Sequence, residues 1–222
     1  RWSKGLAEAN LTAVSYAHFS VEHIHGHHKF VATERDPATA QYGDNVFGFI
    51  PRSALGGIGS YWHLEGRIVA RKKTAWTLAD RRVRYPLVMA LVLGSIGGLL
   101  GLSAVGYFLA QSLTAIGLLE VVNFLEHYGL SRGHNGTKHE RVQPHHSWNS
   151  ARWFSNRLLF GLPRHSDHHF QASRPYPILK HHAQAPQLPA GYPVMLLVAL
   201  CPPLWRRIMD PRVRAMQALG SQ

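Results

Sequence analysis

From Pro86 to Leu119 the chain runs for 34 residues without a charged side chain (PLVMALVLGSIGGLLGLSAVGYFLAQSLTAIGLL), and Val121, Val122 and Phe124 extend its apolar character. A bilayer core is crossed by about 20 helical residues. The run is nearly twice that, so it predicts a hairpin of two spanning helices over about 86–128, with its turn near Gly101–Gly106. One very long helix, or the buried hairpin of a soluble core, is the competing reading. The run is internal and too long for a cleaved leader.

Charge is arranged around this hairpin. The net charge is +12, and Arg67, Arg71, Lys72, Lys73, Arg81, Arg82 and Arg84 precede the run while Arg132, Lys138 and Arg141 follow it. Basic residues at both ends of a hairpin put both ends on the cytoplasmic side. Topology and anionic lipid account for most of these bases, and an acidic protein partner is the sharper use of them. No nucleic-acid recognition motif accompanies the charge. The lone Cys201 allows no intrachain disulfide, which suits a reducing compartment.

Sixteen histidines are present, and three groups flank the hairpin: EHIHGHH (Glu22–His28), NFLEHYGL (Asn123–Leu130) and RHSDHH (Arg164–His169). On an α-helix, residues four apart share a face. His23 and His27 then stack with His28 beside them, and His165, His168 and His169 fall at i, i+3 and i+4. Imidazole suits zinc, copper, iron and nickel alike. Two triplets plus His127 exceed the needs of one tetrahedral zinc, so two metal ions fit better. No cysteine lies near any group, which excludes an iron–sulfur centre. Polar and ionisable residues at the end of a membrane helix, here Asn123, Glu126 and His127, are functional candidates by default.

The rest of the chain predicts an all-α protein. Leu6–Phe30 reads as a helix, Thr33–Phe49 as a loop, about 53–80 as a polar helical segment, and Pro144–Ser150 as the lead into a helix reaching about Leu162. A Pro-rich stretch covers 173–193. The last apolar run, broken by Pro202 and Pro203, reads as a re-entrant or interfacial segment over about 191–208, too short to span.

These motifs resemble the integral-membrane alkane hydroxylases (alkane 1-monooxygenases), members of a histidine-box superfamily that also holds fatty-acid desaturases and xylene monooxygenase. The resemblance rests on AHFSVEHIHGHHKFVATERDPAT, NFLEHYGL, QPHHSWNS, LPRHSDHH, LPAGYPVM and the following MDP, and so covers nearly the whole chain. It implies an integral-membrane helical bundle with one transmembrane hairpin, its histidine clusters carried by helices at the cytoplasmic face of a bacterial inner membrane. It implies that residues 1–222 are the C-terminal part of a single membrane hydroxylase domain, with metal-binding segments 18–30, 123–130 and 144–170. It implies two iron ions held by His23, His27, His28, His127, His165, His168 and His169. The implied reaction is O2-dependent hydroxylation of a terminal methyl group of an alkane drawn from the lipid, with electrons from an acidic rubredoxin and its reductase.

Around the implied ligands, Glu22, Glu126 and Asp167 are candidates to accept the far N–H of ligating imidazoles. His145, His146 and Asn123 are read as supporting groups, and His18 as a lesser one. His25, His134, His139, His181 and His182 are read as surface or loop residues, and Trp62 and His63 as packing. Three departures stand out. The family's HExxH box and further membrane helices precede the position where this chain begins, so the chain reads as a fragment that lacks two ligands. Pro163 replaces a usual Gln and is expected to bend the helix entering the third group. Phe124 replaces a usual Tyr. The alternatives are a related hydroxylase or desaturase acting on a fatty acid or alkylbenzene, an inactive fragment, and a metal transporter. A transporter would need ligands along a transmembrane path.

Overall fold

A computed structural model describes residues 2–220. All regular structure among them is helical, apart from two isolated bridges, His134 with His139 and Asn149 with Gln187. The order is α1 (Trp2–Thr12), α2 (Phe19–Glu22), a π turn (His23–His27), α3 (His28–Phe30), α4 (Val46–Lys72), α5 (Arg81–Leu100) and α6 (Leu102–His127). A 3-10 turn (Pro144–His146), α7 (Trp153–Leu158), α8 (His165–Phe170), a second 3-10 turn (Tyr176–Ile178), α9 (Tyr192–Ala199) and α10 (Pro202–Gly220) follow.

The chain forms two compact units, the first reaching to Lys29 and resuming over Ala54–Leu119, the second comprising Phe30–Ser53 and the residues from Glu120 onward.

Helices α5 and α6 are both long and apolar enough to cross a membrane, and none of the most apolar stretch of α5 is buried by protein. Their turn is tighter than the glycine run suggests: Gly101 alone, at φ 87°, separates the two helices. The start of α5 is pinned by carboxylates. Asp80 caps it, accepting from the Arg82 amide (2.9 Å) and from the Arg82 guanidinium. Those Arg82 hydrogen bonds hold the Asp80 carboxyl down at about 2 against the upward push of burial. Buried Glu65 takes the Arg81 amide (3.0 Å) and guanidinium (2.9 Å). A charged group taken out of water needs such pairing, so these two acids fix where the hairpin begins. A small core of Val21, Tyr61 and Leu64, with Ile68 and Tyr85 against it, ties α2 to the hairpin's entry.

The expected single helix over Leu6–Phe30 is instead three short helices and a π turn. Ser15 takes a left-handed φ of 55° just after α1, which no continuing α-helix tolerates. The hydroxyl of Ser15 lies 3.2 Å from that of Ser112 on α6. The helix expected over 53–80 starts earlier, at Val46, and stops at Lys72, with Lys73 and Trp76 at positive φ beyond it.

In the second unit, side-chain and backbone hydrogen bonds interlock the short motifs. Tyr128 of the EHYGL motif donates to Asp210 of the MDP motif (2.7 Å) and accepts from the Gly43 amide (3.1 Å). Trp148 donates from its indole to the Tyr128 carbonyl (2.9 Å) and from its amide to the Glu126 carbonyl (2.8 Å). Around them Phe124 packs against Phe49, Tyr128 and Trp205 with ring centroids 5.0–5.4 Å apart. Aromatic pairs at this spacing add about 0.5–1.5 kcal/mol each beyond area burial. Phe124 is fully enclosed in this group.

Residues 191–208 form α9, a short break and the start of α10, with Pro202 and Pro203 opening the second helix. Proline suits a first helical turn because its missing N–H has no partner to lose there. Met195, Ala199, Trp205, Met209 and Val213 are buried in this unit's core. Pro163 bends no helix: α7 ends at Leu158, and a turn with Phe160 and Gly161 at positive φ lies between it and α8.

Candidate metal centre

The first cluster sits on the π turn. In an α-helix, residues five apart point about 140° away from each other. Here the His28 amide reaches back to the His23 carbonyl, five residues earlier, and the widened turn aligns the two side chains. Their Nε2 atoms lie 3.1 Å apart. The His23 and His27 rings stack at 5.2 Å, and His28 meets His23 edge-on at 4.6 Å. The α-helical spacing thus anticipated the stacked pair, whereas the His23–His28 approach depends on the extra residue in the turn. Gly26 makes the turn possible: a Cβ there would lie 2.4 Å from Oε1 of buried Glu22. Glu22 accepts from the Ser60 hydroxyl at 3.2 Å.

One turn earlier, His18 is wedged edge-on against Tyr16 (4.6 Å) and near Tyr61 (5.6 Å). Burial pushes its pKa down to about 4.

The second cluster joins the end of α6 to α8, both within the second unit. His127 is the last residue of α6 and His165 the first of α8. Their Nε2 atoms are 3.1 Å apart, and His169, one turn on, brings its Nε2 to 2.9 Å from that of His165. All three rings are buried. His168 belongs to the same helix but faces Tyr176, stacking at 4.8 Å with its Nε2 3.3 Å from the phenol oxygen.

Three imidazole nitrogens converging at such spacing fit a metal ion. Bonds of about 2.1 Å at right angles put neighbouring ligand nitrogens about 3 Å apart. Neutral imidazole is a suitable donor for iron.

The groups holding this cluster are themselves built in. Asn149 accepts from the Ser166 amide (2.8 Å) and donates to its hydroxyl (2.7 Å), which fixes the first turn of α8. Asp167, fully buried, accepts from the Lys180 amide (2.7 Å), His182 (2.7 Å) and the Arg174 guanidinium. Burial pushes its carboxyl up, but those three donors together bring it below the usual range. Glu126 accepts from the Tyr192 hydroxyl (2.8 Å), and its Oε1 lies 3.2 Å from His165 Nδ1. Asn123 donates to Glu120 (3.2 Å) in the turn before.

His145 and His146 group with Glu140. The buried His146 ring accepts from the Gln143 amide on Nδ1 (3.0 Å), leaving Nε2 to donate to Glu140 (3.1 Å). Burial, then the neighbouring His145, takes the His146 pKa down to about 4 despite Glu140.

Reading the sequence alone missed Tyr192, Tyr176, Arg174, Glu140 and His182. His182, expected at the surface, donates to buried Asp167. Tyr192 and Asp210 lie within the LPAGYP and MDP motifs, whose local pattern assigns them no role. Their partners lie 66 and 82 residues away along the chain, so no local pattern marks them.

The family model described as fatty acid desaturase matches residues 1–198. The chain belongs to the fatty acid desaturase family. Within that family it is 44% identical over 213 residues to alkane 1-monooxygenase 1 of Pseudomonas aeruginosa, covering 94% of this chain and 55% of that protein. It is 42% identical over 216 residues to alkane 1-monooxygenase 2 of Alcanivorax borkumensis, covering 96% of this chain and 56% of that protein. A more distant relative is the xylene/toluene monooxygenase hydroxylase component of Pseudomonas putida, at 28% over 211 residues, or 93% of this chain and 56% of that protein. The chain therefore spans about half the length of the curated relatives it matches. Its desaturase-family membership and its two long apolar helices make it a membrane protein.

Proposed function

We propose that this chain is part of a membrane monooxygenase that hydroxylates the terminal carbon of n-alkanes to 1-alkanols, using O2 at a di-iron centre. The observation that carries the reading is the convergence of the buried His127, His165 and His169 nitrogens in a chain 42–44% identical to two alkane 1-monooxygenases. His23, His27, His28 and His168 complete the proposed ligand set. Iron, when bound, supplies the redox chemistry that an unactivated C–H bond requires, since no side chain can remove such a hydrogen as a proton.

The chain's own residues do the rest. Neutral imidazoles hold the metal without adding negative charge. Glu126 and Asp167, with Glu22 beside the first cluster, keep rings and helices in place, and Asn123, His145 and His146 support them. The aromatic packing of Phe124, Tyr128, Trp148 and Trp205 keeps water from the end of α6. An alkane offers no polar handle, so its binding rests on apolar surface reached from the bilayer, where α5 and α6 lie. Electrons come from rubredoxin, itself reduced by its reductase, and the basic residues flanking the hairpin face this acidic donor at the cytoplasmic side of a bacterial inner membrane.

The test is turnover by the full gene product in membranes, supplied with rubredoxin and its reductase. Octane or hexadecane converted to the 1-alkanol with consumption of O2 supports the reading. Conversion of acyl chains or alkylbenzenes alone would move the assignment to a sister activity within the family, and no O2-dependent product from any of them would end it.

A further inference from the structure

Glu126 and Tyr192 lie 66 residues apart in sequence and meet in a fully enclosed place: their exposures are 1% and 0%. The Tyr192 hydroxyl donates to Glu126 Oε1 at 2.8 Å, and the same oxygen stands 3.2 Å from His165 Nδ1. On the far side of that ring, His165 Nε2 faces the Nε2 atoms of His127 and His169. Tyr192 is itself held: its amide donates to the Ser155 hydroxyl at 3.0 Å, and a Cβ on the preceding Gly191 would lie 2.3 Å from that oxygen. The Glu126 backbone is equally fixed, its carbonyl taking the Trp148 amide at 2.8 Å.

We infer that Tyr192 is a positioning residue for the metal centre, acting on His165 through the Glu126 carboxylate; the inference rests on the proposed role of His165 as an iron ligand. Imidazole has one proton to place between two nitrogens. A carboxylate at Nδ1 keeps the proton there and leaves Nε2 with its lone pair toward the cluster. A carboxylate with a free rotation would serve this poorly. The phenol hydrogen-bonds Oε1, 3.2 Å from Nδ1, and draws part of its negative charge, so the orientation and donor strength of the ring both depend on a residue outside the proposed ligand set. The hydroxyl is the only polar group of a side chain that otherwise belongs to this unit's hydrophobic core. An aromatic chosen for packing alone would serve as phenylalanine.

The experiment is a double-mutant cycle on the full gene product in detergent, freed of metal with a chelator and titrated with Co2+, whose visible spectrum reports ligand geometry. Glu126→Gln is expected to weaken cobalt affinity about 10- to 100-fold. Tyr192→Phe is expected to weaken it about tenfold, the low end of what a hydrogen bond to a charged group contributes, and to shift the cobalt bands. The double variant should bind no more weakly than Glu126→Gln, because Tyr192 acts only through that carboxylate. Losses that multiply would mean Tyr192 acts on the fold independently of Glu126 and would overturn the inference, as would unchanged affinity and spectrum in Tyr192→Phe. Absence of cobalt uptake by the parent protein would overturn it together with the metal-centre reading, whereas normal uptake with an indifferent Tyr192→Phe removes the positioning role alone.

Discussion

Gly129 follows Tyr128 in the EHYGL motif, at φ +69°, and a Cβ built on it would lie 2.7 and 2.9 Å from the two methyl groups of Val213 on α10. Val213 is fully buried, so its side chain has no room to withdraw. Replacement of Gly129 by Ala therefore meets two separate penalties. A left-handed backbone costs a residue with a Cβ about 1–2 kcal/mol. Forcing a methyl into an occupied core costs about 1–3 kcal/mol more. Gly129→Ala should lose roughly 2–5 kcal/mol in all. The two parts separate in a cycle with Val213→Ala, which clears the space but leaves φ unchanged. Chemical unfolding of the purified protein in detergent, followed by tryptophan fluorescence, should show Gly129→Ala less costly in the Val213→Ala background by the steric share, leaving about 1–2 kcal/mol. Strict additivity of the two substitutions, or a Gly129→Ala protein as stable as the parent, would refute the reasoning.

Asp167→Asn keeps the size of the side chain but removes the charge that holds Arg174 and His182; losing one partner of a buried charged pair costs about 3–5 kcal/mol, so metal content and resistance to proteolysis between residues 170 and 185 should both fall, and a fully metallated, resistant variant would contradict this. His18 and His146 have folded-state pKa values of about 4, below the 6.5 of an unburied imidazole. The folded state thus binds fewer protons than the unfolded one between these values, so the stability they contribute is complete above pH 6.5 and is lost as pH falls toward 4. His146→Gln should show a shallower decline over that window in urea titrations, and parallel curves would sink the claim. Removing bound metal with a chelator should lower the thermal midpoint and restoring iron should raise it again, since a ligand that binds only the folded form stabilises it; an unchanged midpoint would mean the histidine clusters do not hold metal.

The parts of the fold that were legible in the sequence are those governed by local pattern. Hydropathy over Pro86–Leu119 marked two helices because charge is costly in a bilayer over the whole length of a span. The i, i+4 spacing of His165 and His169 foretold their meeting, since both lie on one regular helix. Legibility failed where a single residue alters the geometry or where partners are distant. Nothing in EHIHGHH distinguishes a π turn from an α turn except Gly26, whose role depends on Glu22 and Ser60 being close. His182 and Asp167 are joined across a loop, and Tyr192 reaches Glu126 from another helix. The effect expected of Pro163 failed for a simpler reason: left-handed Phe160 and Gly161 had already ended the helix it was to bend.

A π turn is what an α-helix becomes when one residue is added without breaking it. Seen that way, EHIHGHH is a four-residue histidine spacing that has taken on one more position. Deleting exposed Ile24 or His25 would return the segment to an ordinary helix and leave its three histidines at i, i+3 and i+4, the pattern that His165, His168 and His169 carry on α8. The direction in which this turn presents its donors is therefore tied to the chain's length there as much as to its composition: a one-residue deletion keeps all three histidines and re-aims them.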